Sequence, residues 1–199
     1  MAITGLSKPY CAVYSYANGA VSYSKATTIG KAREANIVIN AATDNDLWGD
    51  NGIAETDRRF QSGTITLKTT ELSQEVSALM LGIAPSAMGS ISGVTDTDVK
   101  ELVYDDNMET PYLGIGFIIR KVVNGVTKWR GVILPRVMFA VPEDAAVTEE
   151  SGGISWQVPT ITGTILRDES EKHVWKREAT FSTEAQAEAY IKARLNATA

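Results

Sequence analysis

The sequence predicts a mainly β protein: an antiparallel β-sandwich or barrel with one or two peripheral α-helices and a long extended loop. Three observations point there. Apolar residues alternate at period two along much of the chain. Two Asn-Gly pairs, Asn18-Gly19 and Asn124-Gly125, sit between such runs, where a tight hairpin needs positive φ at both central residues. Only two stretches carry helical spacing.

The elements follow in order. Residues 10–16 alternate aromatic with small side chains, and Asn18-Gly19 turns them back into 20–24. Residues 35–40 place Ala35, Ile37 and Ile39 on one face of a strand. A second β-branched run occupies 64–67. Helical spacing of Leu72, Val76, Leu79 and Met80 predicts a helix over 71–81, ended by Gly82 and Pro85. Residues 84–98 are rich in Gly, Ser and Thr and read as a long loop. The strands 113–123 and 126–134 flank Asn124-Gly125, with Gly114 and Gly116 marking a bulge or a close backbone approach. Pro135 interrupts, and 136–141 resumes as a short strand. An acidic loop, 143–153, leads into a strand over 154–166, where Pro159 favours an edge strand or a bend. Residues 173–181 give the last strand. Thr183 then caps a helix with Gln186 three residues on, in the capping-box pattern, and Ala187, Tyr190, Ile191 and Leu195 form its apolar stripe.

A length of 199 residues fits a single domain, and 44% apolar residues suffice for a sizeable core. A net charge of −5 argues against a surface that grips phosphate throughout. One cysteine, Cys11, and one histidine, His173, exclude an internal disulfide framework and a Cys/His metal site within one subunit. Cys11 lies in an apolar run and reads as a buried thiol; His173 reads as an exposed strand residue. No apolar stretch approaches the roughly 20 residues of a membrane span, and the first ten residues lack the pattern of a signal peptide. Folding in a reducing cytoplasm is the expectation, which leaves the Asn196-Ala197-Thr198 sequon without a role.

Residues 41–62 stand out as polar chain too long for a tight hairpin loop. Asp44-x-Asp46-x-Trp48 superficially matches a calcium loop, but Trp48 supplies no oxygen ligand at the fifth position. Gly114-Ile115-Gly116 lacks the later glycine and the following helix of a dinucleotide loop. The acid pairs Asp105-Asp106 and Glu149-Glu150 have no supporting catalytic set. Neither an enzyme nor a cofactor is expected. Over 41–59, five acids (Asp44, Asp46, Asp50, Glu55, Asp57) face two cations (Arg58, Arg59), an excess of three negative charges. The segment reads as an assembly arm with Trp48 as its anchor, Leu47 and Ile53 beside it, and Asp50-Asn51-Gly52 as the turn at its tip.

The series Leu47-Trp48-Gly49-Asp50-Asn51-Gly52-Ile53-Ala54-Glu55-Thr56-Asp57, then Phe60-x-Ser62-Gly63-Thr64-Ile65-Thr66-Leu67, resembles the major tail proteins of long, non-contractile-tailed bacteriophages. The likeness runs on through Leu72-Ser73-Gln74-Glu75-Val76, Pro111-Tyr112-Leu113-Gly114-Ile115-Gly116-Phe117, the Asn124-Gly125 hairpin, Gly163-Thr164-Ile165-Leu166-Arg167-Asp168, and Lys176-x-x-Ala179-Thr180-Phe181 with the Thr183-Glu184 helix. It covers nearly the whole chain through an ordered series rather than one diagnostic motif.

The resemblance implies a virion protein of the phage tail tube fold, assembled in the host bacterial cytoplasm. Hexameric rings would stack into a hollow tube whose lumen conducts DNA without binding it specifically. Its partners would be other copies of itself, a tape-measure protein, a tail terminator and distal tail or baseplate proteins, with no membrane. The expected assembly contacts are Leu47, Trp48, Gly49, Asp50, Asn51, Gly52, Ile53, Arg58, Arg59 and Phe60. Asp44, Asp46, Glu55 and Asp57 are candidate lumen or ring-contact charges, and 35–40 with 64–68 the candidate ring-forming strands. The competing expectation is a monomeric β-sandwich module that binds a ligand at its surface.

Overall fold

A computed structural model describes residues 2–41, 46–56, 59–89, 91–96, 98–143, 146, 148 and 157–197. The chain is mainly β, with strands β1 (Ala2–Ala17), β2 (Ala20–Thr28), β3 (Ala32–Ala41), β4 (Asp46–Gly49), β5 (Gly52–Thr56) and β6 (Phe60–Thr69) before helix α1 (Gln74–Leu81). After it come β7 (Ser86–Ala87), β8 (Lys100–Glu101), β9 (Leu113–Val123), β10 (Val126–Phe139), β11 (Thr160–Leu166), β12 (Arg177–Phe181) and helix α2 (Glu184–Leu195). The main antiparallel sheet has the order β2-β1-β9-β10-β11-β6-β3, with β12 added against β10.

The sheet changes partners along β10. Residues 129–133 pair with β12, and residues 136–139 with β11. Between them the register with β9 slips by one residue across Leu134 and Val137. Pro135 sits in that bulge, where the ladder has no need of its missing N–H. The expected interruption at Pro135 is therefore a bulge within one strand, and its carbonyl accepts a hydrogen bond from the Tyr23 hydroxyl at 3.0 Å.

Alternation along the strands builds one core on each face. Cys11, Ile65, Leu67, Leu113, Ile115, Phe117, Val132 and Leu134 pack on one face with Val76 and Met80 of α1. Tyr10, Ala12, Ile118 and Ile133 pack on the other with Ala187, Ile191 and Leu195 of α2. Adjacent residues of β1 thus serve different cores. Burial holds Cys11 fully covered and pushes its thiol pKa up to about 12.

α2 begins where its sequence predicts, whereas α1 begins at Gln74, three residues later than the expected 71, because Ser73 caps it. The Ser73 hydroxyl accepts from Val76 N–H, and the Thr183 hydroxyl accepts from Gln186 N–H. The Gln186 side chain departs from the capping box: its Oε1 accepts from Ser182 Oγ at 3.0 Å. Gly82 ends α1 with φ 73°, the left-handed conformation a helix terminus favours.

Several expected boundaries move. β1 starts at Ala2 rather than residue 10, and β2 runs on to Thr28. The 84–98 loop contributes Ser86–Ala87 to a short pairing with Lys100–Glu101. His173 is not in a strand: it has φ 48° and lies in a turn. Asp168 accounts for that, because its Oδ1 accepts from Ser170 N, Ser170 Oγ and Val174 N, closing a turn that the strand-like sequence conceals. The strand expected from 154 begins at Thr160; Ile154 and Trp156 lie outside the described residues.

Candidate assembly surface

Within the predicted arm, residues 42–45 and 57–58 lie outside the described residues. Residues 46–56 form a two-stranded hairpin, β4–β5, that is separate from the main sheet. Its register pairs Asp46 with Thr56, Leu47 with Glu55, Trp48 with Ile53 and Gly49 with Gly52, and a bulge on the β5 side leaves Ala54 as the extra residue. Asp50 and Asn51 both take positive φ, 48° and 64°. That is the type I′ geometry that matches strand twist, and short polar side chains tolerate it best after glycine. Asn18-Gly19 and Asn124-Gly125 use the same positive-φ pair.

The hairpin presents apolar surface that its own chain leaves uncovered. Leu47, Trp48 and Ile53 are 62%, 67% and 55% exposed. Trp48 and Ile53 face each other across the ladder, so they form one patch rather than scattered side chains. An isolated two-stranded ribbon is marginal in water, and packing against something else is what normally holds one. Asp46 is half-buried; Asp50 and Glu55 are exposed, and among the described residues none of these three side chains makes an ion pair or hydrogen bond.

The other arm residues divide. Asp44, Asp57 and Arg58 lie outside the described residues. Phe60 belongs to β6, not to the hairpin, and its half-buried ring stacks on Trp175 with centroids 4.6 Å apart and planes 1° from parallel. Arg167 donates to the Phe60 carbonyl and lies over its ring. Phe60 thus anchors the base of the arm to its own chain. Arg59 lines a shallow groove with Phe60, Gln61, Arg136, Leu166 and Arg167. Of the calcium-like spacing, Asp46 and Trp48 lie in the hairpin and Asp44 lies outside the described residues. Among the described residues no group of three or more His, Cys, Asp or Glu side chains could hold a metal ion. Gly114 and Gly116 lie in β9, not in a phosphate-binding loop, and Asp105 Oδ1 accepts from Asn107 N–H in a surface turn.

A second exposed feature lies on the 35–40 strand, outside the expected arm. β2 and β3 are the outer strands of the main sheet. On β3, Val38 is 51% and Ile39 38% exposed although they point to opposite faces. The signal was the unbroken run Ile37-Val38-Ile39, which departs from one-sided alternation. The 35–40 and 64–68 segments are neighbours, β3 pairing with β6 from Ala32↔Thr69 to Ala41↔Phe60.

No protein-family model matches this chain, and no curated protein matches it. Among the described residues no helix is long and apolar enough to cross a membrane.

Proposed function

We propose that the chain is a self-assembling structural protein, a tail tube subunit whose hexameric rings stack into a hollow tube through which phage DNA passes. The observation that carries this reading is the β4–β5 hairpin, a separate ribbon with Leu47, Trp48 and Ile53 more than half exposed. A tryptophan at the centre of such a patch is the kind of residue that supplies interface energy once a neighbour covers it. The outer strands β2 and β3 add unpaired backbone edges, which copies of the chain could satisfy by joining their sheets into a closed barrel. Ring closure is a heterologous contact between unlike surfaces, and stacking extends it without limit. The net charge of −5 suits a conduit that repels phosphate, so that DNA slides instead of binding. The tape-measure, terminator and distal tail proteins follow from the resemblance alone, as does a location in the virion tail.

The alternative is a monomeric ligand-binding module. It draws on a cavity of about 960 Å³ between α1 and the 84–101 segment, lined by Val13, Lys25, Leu79, Ile83, Pro85 and Val99. Negative-stain microscopy of concentrated protein separates the two: rings or tubes of uniform width are expected. Trp48→Asp should abolish them while leaving the thermal melting temperature of the subunit within a few degrees of wild type, since Trp48 is 67% exposed in the single chain. Normal tubes from that variant would sink the hairpin's role.

A further inference from the structure

Strands β9 and β10 and the residue that leads into β12 bring four cations to one end of the sheet. Lys121 of β9 lies directly opposite Lys128 of β10, and Arg130, two residues along β10, shares that face. Glu178 of β12 sits beside them, with Lys176 Nζ at 2.8 Å and Arg130 Nη1 at 3.8 Å. Four cations and one carboxylate leave an excess of three positive charges, in a chain whose net charge is −5.

This is more than a solvated basic face. Like charges directly opposite in a ladder repel, and Lys121 opposes Lys128. Lys121 is only 9% exposed, so its charge is poorly screened by water. Arg130 Nε is buried with no acceptor, a donor that costs free energy until something accepts from it. Glu178, held below the usual carboxylate range by Lys176 first and then by Arg130 and Lys121, is the only acid in the set. The arginines near the hairpin base differ: Arg136 lies 3.9 Å over the Tyr112 ring and 3.4 Å from Glu169, and Arg167 is bonded to the Phe60 carbonyl.

The complement is elsewhere in the same chain. Between residues 46 and 56 stand Asp46, Asp50 and Glu55 and no Lys or Arg, an excess of three negative charges. We propose that the Lys121–Lys128–Arg130–Lys176 cluster is the seat for the β4–β5 hairpin of a second copy, whose carboxylates complete the cation set while Trp48 is covered. The inference rests on the assembly reading above and adds to it the surface that receives the arm. A protein carboxylate fits better than a nucleic-acid phosphate, because the excess charges match and the net charge of the chain repels a polyanion.

The test reverses one charge and restores it from the other side. Lys128→Glu keeps the buried Lys121 in place. It should raise the protein concentration needed for association at least tenfold in sedimentation velocity. Adding Glu55→Lys alone in the same chain restores an opposite-charge pair while Asp46 and Asp50 keep the hairpin net negative, and it should recover part of that loss, which no misfolded variant could do. Lys121→Gln, which keeps the stem and removes the charge, should weaken association several-fold. Wild-type association of Lys128→Glu would overturn the seat and leave the assembly reading standing; failure of the wild type to associate at all would remove both. Loss without rescue, with an unchanged melting curve, would overturn the occupant. So would an association that does not depend on concentration, since a hairpin bound within its own chain behaves that way. Tight binding of a fluorescent oligothymidylate, lost in Lys128→Glu while assembly persists, would assign the cluster to nucleic acid instead.

Discussion

At the scale of single residues, the close approach of α2 to the sheet depends on glycine. A Cβ built on Gly116 would lie 2.5 Å from Ile191 Cγ2 and 3.1 Å from Leu195 Cδ1; one on Gly114 would lie 2.4 Å from Tyr23 Cε1. Neither glycine has positive φ, so the requirement is space rather than backbone conformation. The sequence showed that two glycines inside an apolar strand signal a bulge or a close approach. It did not show which, because the partner helix lies some 70 residues further along the chain. Gly116→Ala should destabilise the fold by about 1–3 kcal/mol through overpacking, read from the urea midpoint at an unchanged m-value. A neutral result would mean that α2 can shift outward at little cost.

At the scale of elements, turn chemistry was the most legible part of the sequence. The hairpin spanning 113–134 is found where Asn124-Gly125 placed it, because an Asn-Gly pair is a local cause with a local effect. Elements defined by distant partners were less legible. The start of β1 has no clean alternation and is held by pairing with β9, from Ala2↔Val122 onward. A register shift between Ser7 and Tyr10, with Lys8 at φ 50°, marks a bulge there, and the Lys8 ammonium bonds to Glu188 of α2. Glu188 also accepts from Tyr10 Oη at 2.8 Å and pairs with Lys192 at 3.2 Å. This network clamps α2 onto β1. The Lys8 hydrogen bond leads in lowering the Glu188 pKa to about 2, with Tyr10 and Lys192 adding to it and burial opposing. A carboxylate depressed in the folded state stabilises fully above its unfolded value, here 4.5, and that contribution is lost as pH falls through about 2. Glu188→Gln should therefore cost on the order of 1–2 kcal/mol at pH 7 after solvent screening. It should also flatten the fall in stability between pH 5 and pH 2. An unchanged acid limb would show that Glu188 is not what holds the helix down at neutral pH.

At the scale of the whole molecule, the sheet packs against α1 on one face and α2 on the other, yet among the described residues neither outer strand is paired along its outer edge. Charged residues or proline normally blunt such an edge. β3 has charges only at its start, Arg33 and Glu34, and further along carries Val38 and Ile39 side by side, exposed on opposite faces, so a second strand laid along this stretch would gain ladder hydrogen bonds and cover apolar surface on both sides. In chain order the β4–β5 hairpin lies between the edge strand β3 and its neighbour β6. An edge contact and an arm contact can therefore act on the same neighbour, and ordering of the arm then costs less once the edge has paired. Val38→Lys with Ile39→Lys introduces edge charges without touching the core partners Ala35 and Ile37. The subunit's melting temperature should stay within a few degrees of wild type, because both side chains are more than a third exposed. Association measured by light scattering coupled to size exclusion should stop at the monomer or at small oligomers, even with the hairpin intact. If the doubly substituted protein still forms rings of normal width, the β3 edge takes no part in ring closure, and the arm must supply the contact alone.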